Sequence, residues 1–360
     1  MRGRTRAVGR VRIADVAQRA GVSKGAASFA LNGRPGVSAE TRERVLRIAA
    51  DMGWRPNTAA RALAGGRSDT IGLVLNRPPR VRGVEPLLQH YLEGMQDELV
   101  DHAITLRMQV VSGHAAELAT YDQWASGNGV DGLVVIDLRV DDDRPRALQT
   151  LGLPAVTLGD PRYTSGLPTV WTDDVGAAHE LVDALVALGH RRLARVTSGS
   201  RLAYSRVRTD ALTEAAAARG LPAPAVVQSE GGSAAAPEAT RQLLDRPAAD
   251  RPTAIVYEND VQAMAGTGVA AELGLDVPGD VSMVAWDSSG ISRLTRPTLT
   301  VMTRDARAEA ACAVRMLLEL VEGAPAQQLQ APTARLELRA STGPAPDDDR
   351  RRPPLSLPGS

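Results

Sequence analysis

Residues Arg12 to Gly66, RIADVAQRAGVSKGAASFALNGRPGVSAETRERVLRIAADMGWRPNTAARALAGG, constrain the fold more than any other stretch. Ile13, Val16, Ala17 and Ala20 recur at helical spacing, Gly21 permits a positive φ, and Ser23 can cap a second helix running to Asn32. Small Ala17 lets two helices approach, while Val22 and Leu31 supply apolar packing. This is the pattern of a helix-turn-helix, whose second helix lies in the major groove of DNA. A third helix is expected after Ser38, with Val45, Leu46, Ala49 and Met52 on one face and Gly53 as its stop. Beyond Pro56, Asn57 can cap a short helix over 58–64, which Gly65 and Gly66 end. At about seven residues it falls below the ~12–15 that stand alone in water, so it needs something to dock against.

Charge supports a nucleic-acid partner. Residues 1–67 hold thirteen Arg and one Lys against four acids, a net +10. With 42 basic and 42 acidic residues in all, the remainder carries 28 against 38, a net −10. A positive head neutralises phosphates, and a negative body confines the contact to that head. No apolar run is long enough to span a bilayer, and the opening MRGRTRAVGR lacks the apolar core of a secretory signal, so a cytoplasmic protein is expected. The lone Cys312, set among Ala and Met, reads as a small buried hydrophobe. The five His show no metal-ligand spacing, no nucleophile motif is present, and neither a metal, a cofactor nor an enzymatic activity is expected. GTGVAA (266–271) fits a dinucleotide-loop pattern but falls within a continuing helix, where that chemistry fails.

From Ser68 short apolar runs alternate with amphipathic segments. The runs are 70–75, 104–111, 132–136, 153–158, 192–198, 253–257 and 281–287; 87–100, 177–189 and 210–220 read as helices between them. Such alternation predicts an α/β core of parallel sheets with helices on both faces. Roughly 275 residues is large for one sheet, which favours two lobes. The Pro- and charge-rich end, 344–360, is expected to be disordered. It lacks the Leu heptads of a tetramerising coiled coil, so a homodimer is expected.

The stretch from Val11 to Gly66 resembles the headpiece and hinge of the lactose-repressor (LacI/GalR) family of bacterial transcriptional regulators, with weaker landmarks continuing to about Gly343. The resemblance implies an all-α headpiece over 1–56, a hinge over 57–67, and a two-lobed periplasmic-binding-protein-like core over 68–343. Lobe 1 would take 68–170 and 302–332, and lobe 2 would take 171–301 and 333–343. It further implies that Lys24, Gly25 and Phe29 face base edges, with Ser23 and Ser28 near the backbone and Asn32 at the helix end. Lys24 can donate to guanine or to a phosphate, and Gly25 can only allow close approach. Phe29 stands where relatives most often carry Arg. It either favours a thymine methyl or packs inward beside Ala27 and Ala30. Arg12 replaces a capping Thr; its charge opposes the helix dipole unless the guanidinium reaches a phosphate. In the hinge, Leu63 matches the leucine that wedges into the minor groove of a palindromic operator, with Asn57 and Ala60 as neighbours.

The same resemblance implies an effector site between the lobes for a small molecule, by family analogy a sugar. Arg208 in YSRVRTDAL, Asn259 in VYENDVQAM and Asp287 in VSMVAWD would hold hydroxyls, and Trp171 would stack on the ligand. Asn76 and Asp160 are first-lobe candidates. For each polar residue a loop cap or interlobe bridge is the competing role. The implied mechanism is linkage: effector shifts the pairing of the first lobes, the hinge helices are lost, and Leu63 leaves the groove. A repressor is the leading reading, and nothing in the sequence decides whether effector relieves or enforces repression. A corepressor-dependent regulator, an activator and a solute-binding sensor remain alternatives.

Overall fold

The computed structural model describes residues 11–31, 33, 35–54, 67–77, 86–199, 201–229 and 232–347. The chain separates into two units, Met1–Ser68 and Asp69–Ser360.

The described part of the first unit contains helices α1 (Ile13–Ala20), α2 (Lys24–Leu31) and α3 (Ala39–Asp51). The Asp15 carboxylate accepts the Arg12 backbone N–H at 2.7 Å, so an acid in the first turn closes the end that Arg12 cannot cap well. Gly21 turns the chain at φ 65°. Ser23 Oγ then accepts the Ala26 N–H at 3.1 Å, and Ser38 Oγ accepts that of Thr41 at 3.2 Å, starting the next two helices. Val16, Ala17, Ala20, Ala27, Ala30, Val45 and Ala49 form the buried core. Leu46 departs from expectation: it is 47% exposed. It lies about 100° round the helix from Val45, outside the stripe that Val45, Ile48, Ala49 and Met52 share.

The second unit alternates strand and helix. Its first half runs β1 (Thr70–Asn76), α4 (Pro86–Asp101), β2 (Thr105–Val111), α5 (His114–Ser126), β3 (Gly132–Val135), α6 (Arg144–Leu151), β4 (Ala155–Leu158) and β5 (Thr169–Trp171). Then come α7 (Asp174–Ala187), β6 (Leu193–Thr197), α8 (Ala203–Ala217), β7 (Ala225–Gln228), α9 (Ala236–Leu244), β8 (Ala254–Asn259), α10 (Asp260–Glu272) and β9 (Ser282–Asp287). It closes with β10 (Thr300–Thr303), α11 (Ala306–Val321), β11 (Gln328–Gln330) and β12 (Arg335–Glu337). Among the described residues the strands form two six-stranded sheets, ordered β11-β5-β4-β3-β1-β2 and β12-β10-β9-β8-β6-β7. All the pairings are parallel except β10 with β12.

Both faces of the central strands are covered, so β1, β3, β4, β6, β8 and β9 are almost wholly buried, while the edge strands β2, β7 and β11 are partly or fully exposed. In β1, Ile71, Leu73 and Leu75 enter one core with α4 and α11, whereas Val74 enters the other with Trp124 and Leu148. Gly72 leaves the space that the Trp124 ring fills.

Two expected lobe boundaries shift. Trp171, placed in lobe 2 by the sequence, is the last residue of β5, in register with β11 in the first sheet. Residues 302 and 303, placed in lobe 1, pair with Leu336 and Arg335 in the second sheet. The chain therefore changes lobe after Trp171, after Thr303 and after Gln330. The expectation of a disordered end from 344 is also corrected in part: Ala345 is buried and donates its N–H to Leu188 O at 2.8 Å. Buried His190 holds the same segment through Nε2 to Gly343 O at 3.0 Å. Residues 348–360 lie outside the described set.

Candidate functional site

On the head, the side of α2 turned away from the core carries Ser23, Lys24, Gly25 and Phe29, all exposed, with Ser28 half-buried. Phe29 is 41% exposed, so it is not the inward-packed residue that the alternative required. Arg12 is exposed at the start of α1. Asn32, Asn57, Ala60 and Leu63 lie outside the described residues.

In the second unit a cavity of about 80 Å³ lies between the sheets. Its walls include residues at strand carboxyl ends: Arg77 after β1, Asp137 after β3, Asp160 after β4, Trp171 and Thr172 at β5, Asn259 and Asp260 at β8, Asp287 at β9, and Arg304 after β10. Strand ends of this kind are where open α/β sheets bind ligands, because side chains there are freed from sheet packing.

Arg208 projects from α8 and is wholly buried. Its Nε meets Asp174 at 3.2 Å, and its Nη1 meets Glu258 at 3.0 Å and Asp287 at 2.9 Å. The rings of Tyr204 and Trp286 lie 5.1 and 5.2 Å from the guanidinium. Glu258 also binds Arg195 Nη2 with both oxygens at 3.0 Å and accepts the Ser205 hydroxyl at 2.6 Å. Burial pushes the Glu258 carboxyl up, but the Arg195 and Arg208 guanidiniums and Ser205 outweigh it and hold it at about 2. Burial pulls Arg195 below its ordinary value despite that partner. Arg304, at the second lobe crossing, faces Asp287 and Glu309, each at 3.3 Å, and donates to the Tyr91 hydroxyl at 2.8 Å. Burial raises the Glu309 carboxyl against the pull of Arg304.

Arg208, Asn259, Asp287, Trp171 and Asp160 thus all line one cavity. Asn259 Oδ1 caps α10 by accepting the Gln262 N–H at 3.0 Å. Its Nδ2 has no protein hydrogen bond among the described residues. Asp160 caps a short 3-10 turn and pairs with Arg162 at 2.7 Å. Burial raises its carboxyl, and the bonds from Arg162 bring it below the ordinary value. Asn76 is the exception. It does not line the cavity: Oδ1 accepts the Gly113 N–H at 2.9 Å and Nδ2 donates to Glu117 at 3.2 Å. The next residue points inward instead, Arg77 pairing with Asp137 at 2.7 Å. Sequence reasoning missed Glu258, Asp174, Arg304 and Tyr91. The first three adjoin strand ends, and that position was the signal that could have found them. Cys312, expected buried, is only half-buried on α11.

Lobes closing over a polar cavity, preceded in the chain by a helix-turn-helix head, define a ligand-sensing DNA-binding regulator. Residues 12–57 match the family described as bacterial regulatory proteins, lacI family, and residues 182–342 match the periplasmic binding protein-like domain. The chain is 32% identical to the HTH-type transcriptional regulator AglR of Rhizobium meliloti (strain 1021), over 97% of this chain and 98% of that one. It is also 32% identical to the HTH-type transcriptional regulator reg1 of Streptomyces lividans, over 95% and 99%. Among solved structures, the CelR–cellobiose complex is similar at TM-score 0.69 and 26% identity, covering 92% of this chain and all (100%) of that one. The lac repressor dimer bound to operator and the anti-inducer ONPF shares the fold, at TM-score 0.77 and 24% identity over 93% and 100%. The protein belongs to the lacI family of bacterial regulatory proteins, and it is a transcriptional regulator, not an enzyme.

Proposed function

We propose that the protein is a cytoplasmic, homodimeric repressor whose affinity for a palindromic operator is set by a neutral sugar held between the lobes. The observation that carries this reading is the meeting of Arg208, Asn259 and Asp287 with Trp171 in one interlobe cavity. Asp287 accepts from hydroxyls, Asn259 Nδ2 donates to them, and an indole face suits the C–H face of a sugar ring. The similarity to a CelR–cellobiose complex supports the same ligand class. Among the described residues no helix is long and apolar enough to cross a membrane. Operator reading is assigned to Ser23, Lys24, Gly25, Ser28, Phe29 and Arg12, with Asn32, Asn57, Ala60 and Leu63 assigned from the sequence.

The test has two arms. Purified protein is screened by thermal shift against neutral mono- and disaccharides, and a stabilising sugar is then titrated into a protein–operator complex. The proposal expects one sugar both to raise the unfolding temperature and to release the duplex. Binding to palindromic duplex should also fall steeply with salt, as phosphate contacts require. Equal affinity for palindromic and random duplex, or stabilisation by sugar without any change in DNA binding, would overturn it.

A further inference from the structure

The exposed face of α2 is poor in hydrogen-bonding groups. Its sequence is KGAASFAL; Ala27 and Ala30 are buried, and Gly25 carries no side chain. Lys24 at the first position and the small hydroxyls of Ser23 and Ser28 are the polar side chains left on that surface. Above it stands one large group, the ring of Phe29, the single Phe of the chain. A Cβ built on Gly36 would come within 3.4 Å of Phe29 Cδ2 and 3.6 Å of Cε2, so the ring lies against the turn before α3. That turn fixes the ring from one side while 41% of the residue stays open to solvent.

A helix entering the major groove meets base edges that offer donors, acceptors and, on thymine alone of the four bases, a C5-methyl group. A phenyl ring can neither donate to nor accept from those edges, and the thymine methyl is the feature it complements. We infer that Phe29 is a specificity-determining residue that reads a C5-methyl group in each half-site. This deepens, and rests on, the proposal that the head reads an operator. It carries a further consequence. 5-Methylcytosine presents the same methyl at the same place in the groove, so the head is a reader of cytosine C5-methylation wherever a methylated C·G pair replaces the T·A pair under Phe29. Gly25 and Ala26 favour this by letting the helix sit low enough for the ring to reach the base edge.

The experiment uses the full chain. A palindromic duplex is selected from a random pool, and each half-site thymine is replaced in turn by deoxyuridine, which removes only the methyl. Burying one such group contributes about fourfold in affinity, so a symmetric replacement in both half-sites is expected to weaken binding about fifteenfold. The loss should fall at one thymine per half-site. Phe29→Ala should be insensitive to the methyl there, and Phe29→Leu should retain part of the sensitivity. Replacing that T·A pair by C·G should weaken binding, and 5-methylation of the new cytosine should restore it in the wild-type chain but not in Phe29→Ala. Wild-type affinity unchanged by deoxyuridine at every thymine overturns the inference without any variant. A methyl effect that persists undiminished in Phe29→Ala overturns it too. Failure of the pool to yield any preferred duplex would instead overturn the operator-reading proposal beneath it.

Discussion

Glu258 offers a direct measure of how strongly the buried charge cluster holds the second lobe. Its carboxylate receives Arg195, Arg208, Ser205 and Thr197 with no exposure to solvent beyond a trace. A carboxyl held at about 2 rather than the ordinary 4.5 favours the folded state by about 3 kcal/mol at neutral pH. Because the folded value lies below the unfolded one, that contribution is complete above the unfolded value and is lost as pH falls through the folded one. Near pH 3 it shrinks to less than half of that by the same relation. Glu258→Gln keeps the shape and removes the charge, leaving Arg195 with Thr209 and Arg208 with Asp174 and Asp287. At pH 7 the variant should lose about 3 kcal/mol, which for a unit of this size lowers the unfolding midpoint by about 5 °C. Thermal unfolding of both proteins at pH 7 and at pH 3 is the assay, with the narrowing of the gap as the signature. A gap under about 1 kcal/mol at pH 7, or one that does not narrow on acidification, would refute the assignment of the stabilisation to this charge.

Asn259→Ser preserves a side-chain cap for α10 but removes the cavity amide. Effector affinity should weaken about five- to tenfold, the loss of one hydrogen bond, with an unchanged unfolding midpoint; isothermal titration checks the first and calorimetry the second. Gly266→Ala should destabilise the second lobe by about 1–3 kcal/mol in urea unfolding, because a Cβ there runs into the buried Tyr257 ring. A neutral result would mean that α10 shifts away from β8. Leu63→Ala should weaken operator binding and reduce bending of the duplex while leaving effector affinity intact, read by gel mobility of permuted bend probes and by titration.

What was legible in the sequence followed from local physics. The head was read nearly whole because caps, turn glycine and apolar spacing act within a few residues: Gly21, Ser23 and Ser38 each act where they stand, while the Asp15 bond that closes α1 went unread. The long central strands were equally plain, being continuous apolar runs. β5, β7, β10 and β11 were missed: each is three or four residues long and lies at or next to a sheet edge, whereas the equally short β3 and β4 stood out as apolar runs in the sheet interior. The cavity shows the same division. Arg208, Asn259 and Asp287 came from motif likeness and do converge. Asn76 went wrong by one position, since side chains alternate along a strand and the residue before the cavity faces the lobe interior toward Glu117. Glu258, Asp174 and Arg304 were invisible as a group because an ion cluster assembled from separate strand ends has no sequence spacing.

That cluster also bears on how a ligand could be felt beyond the cavity. Asp287 lies between two arginines, Arg208 at 2.9 Å and Arg304 at 3.3 Å. Arg208 runs on to Asp174, the first residue of α7 just after the first lobe crossing. Arg304 sits on the second crossing and runs on to Glu309 of α11 and Tyr91 of α4, both in the first lobe. A hydroxyl that donates to Asp287 therefore competes for a carboxylate that two crossings already share. Arg304→Met removes one of these links without touching Arg208, Asn259 or Trp171. Glu309, already raised by burial, can take up a proton where its partner is lost. The variant should bind the sugar within about threefold of wild type, while the effect of sugar on operator affinity, about 5- to 150-fold in coupled sites of this kind, collapses toward one. Operator release measured at saturating sugar decides it: full release from the variant would show that the signal leaves the cavity by a route that does not pass through Arg304.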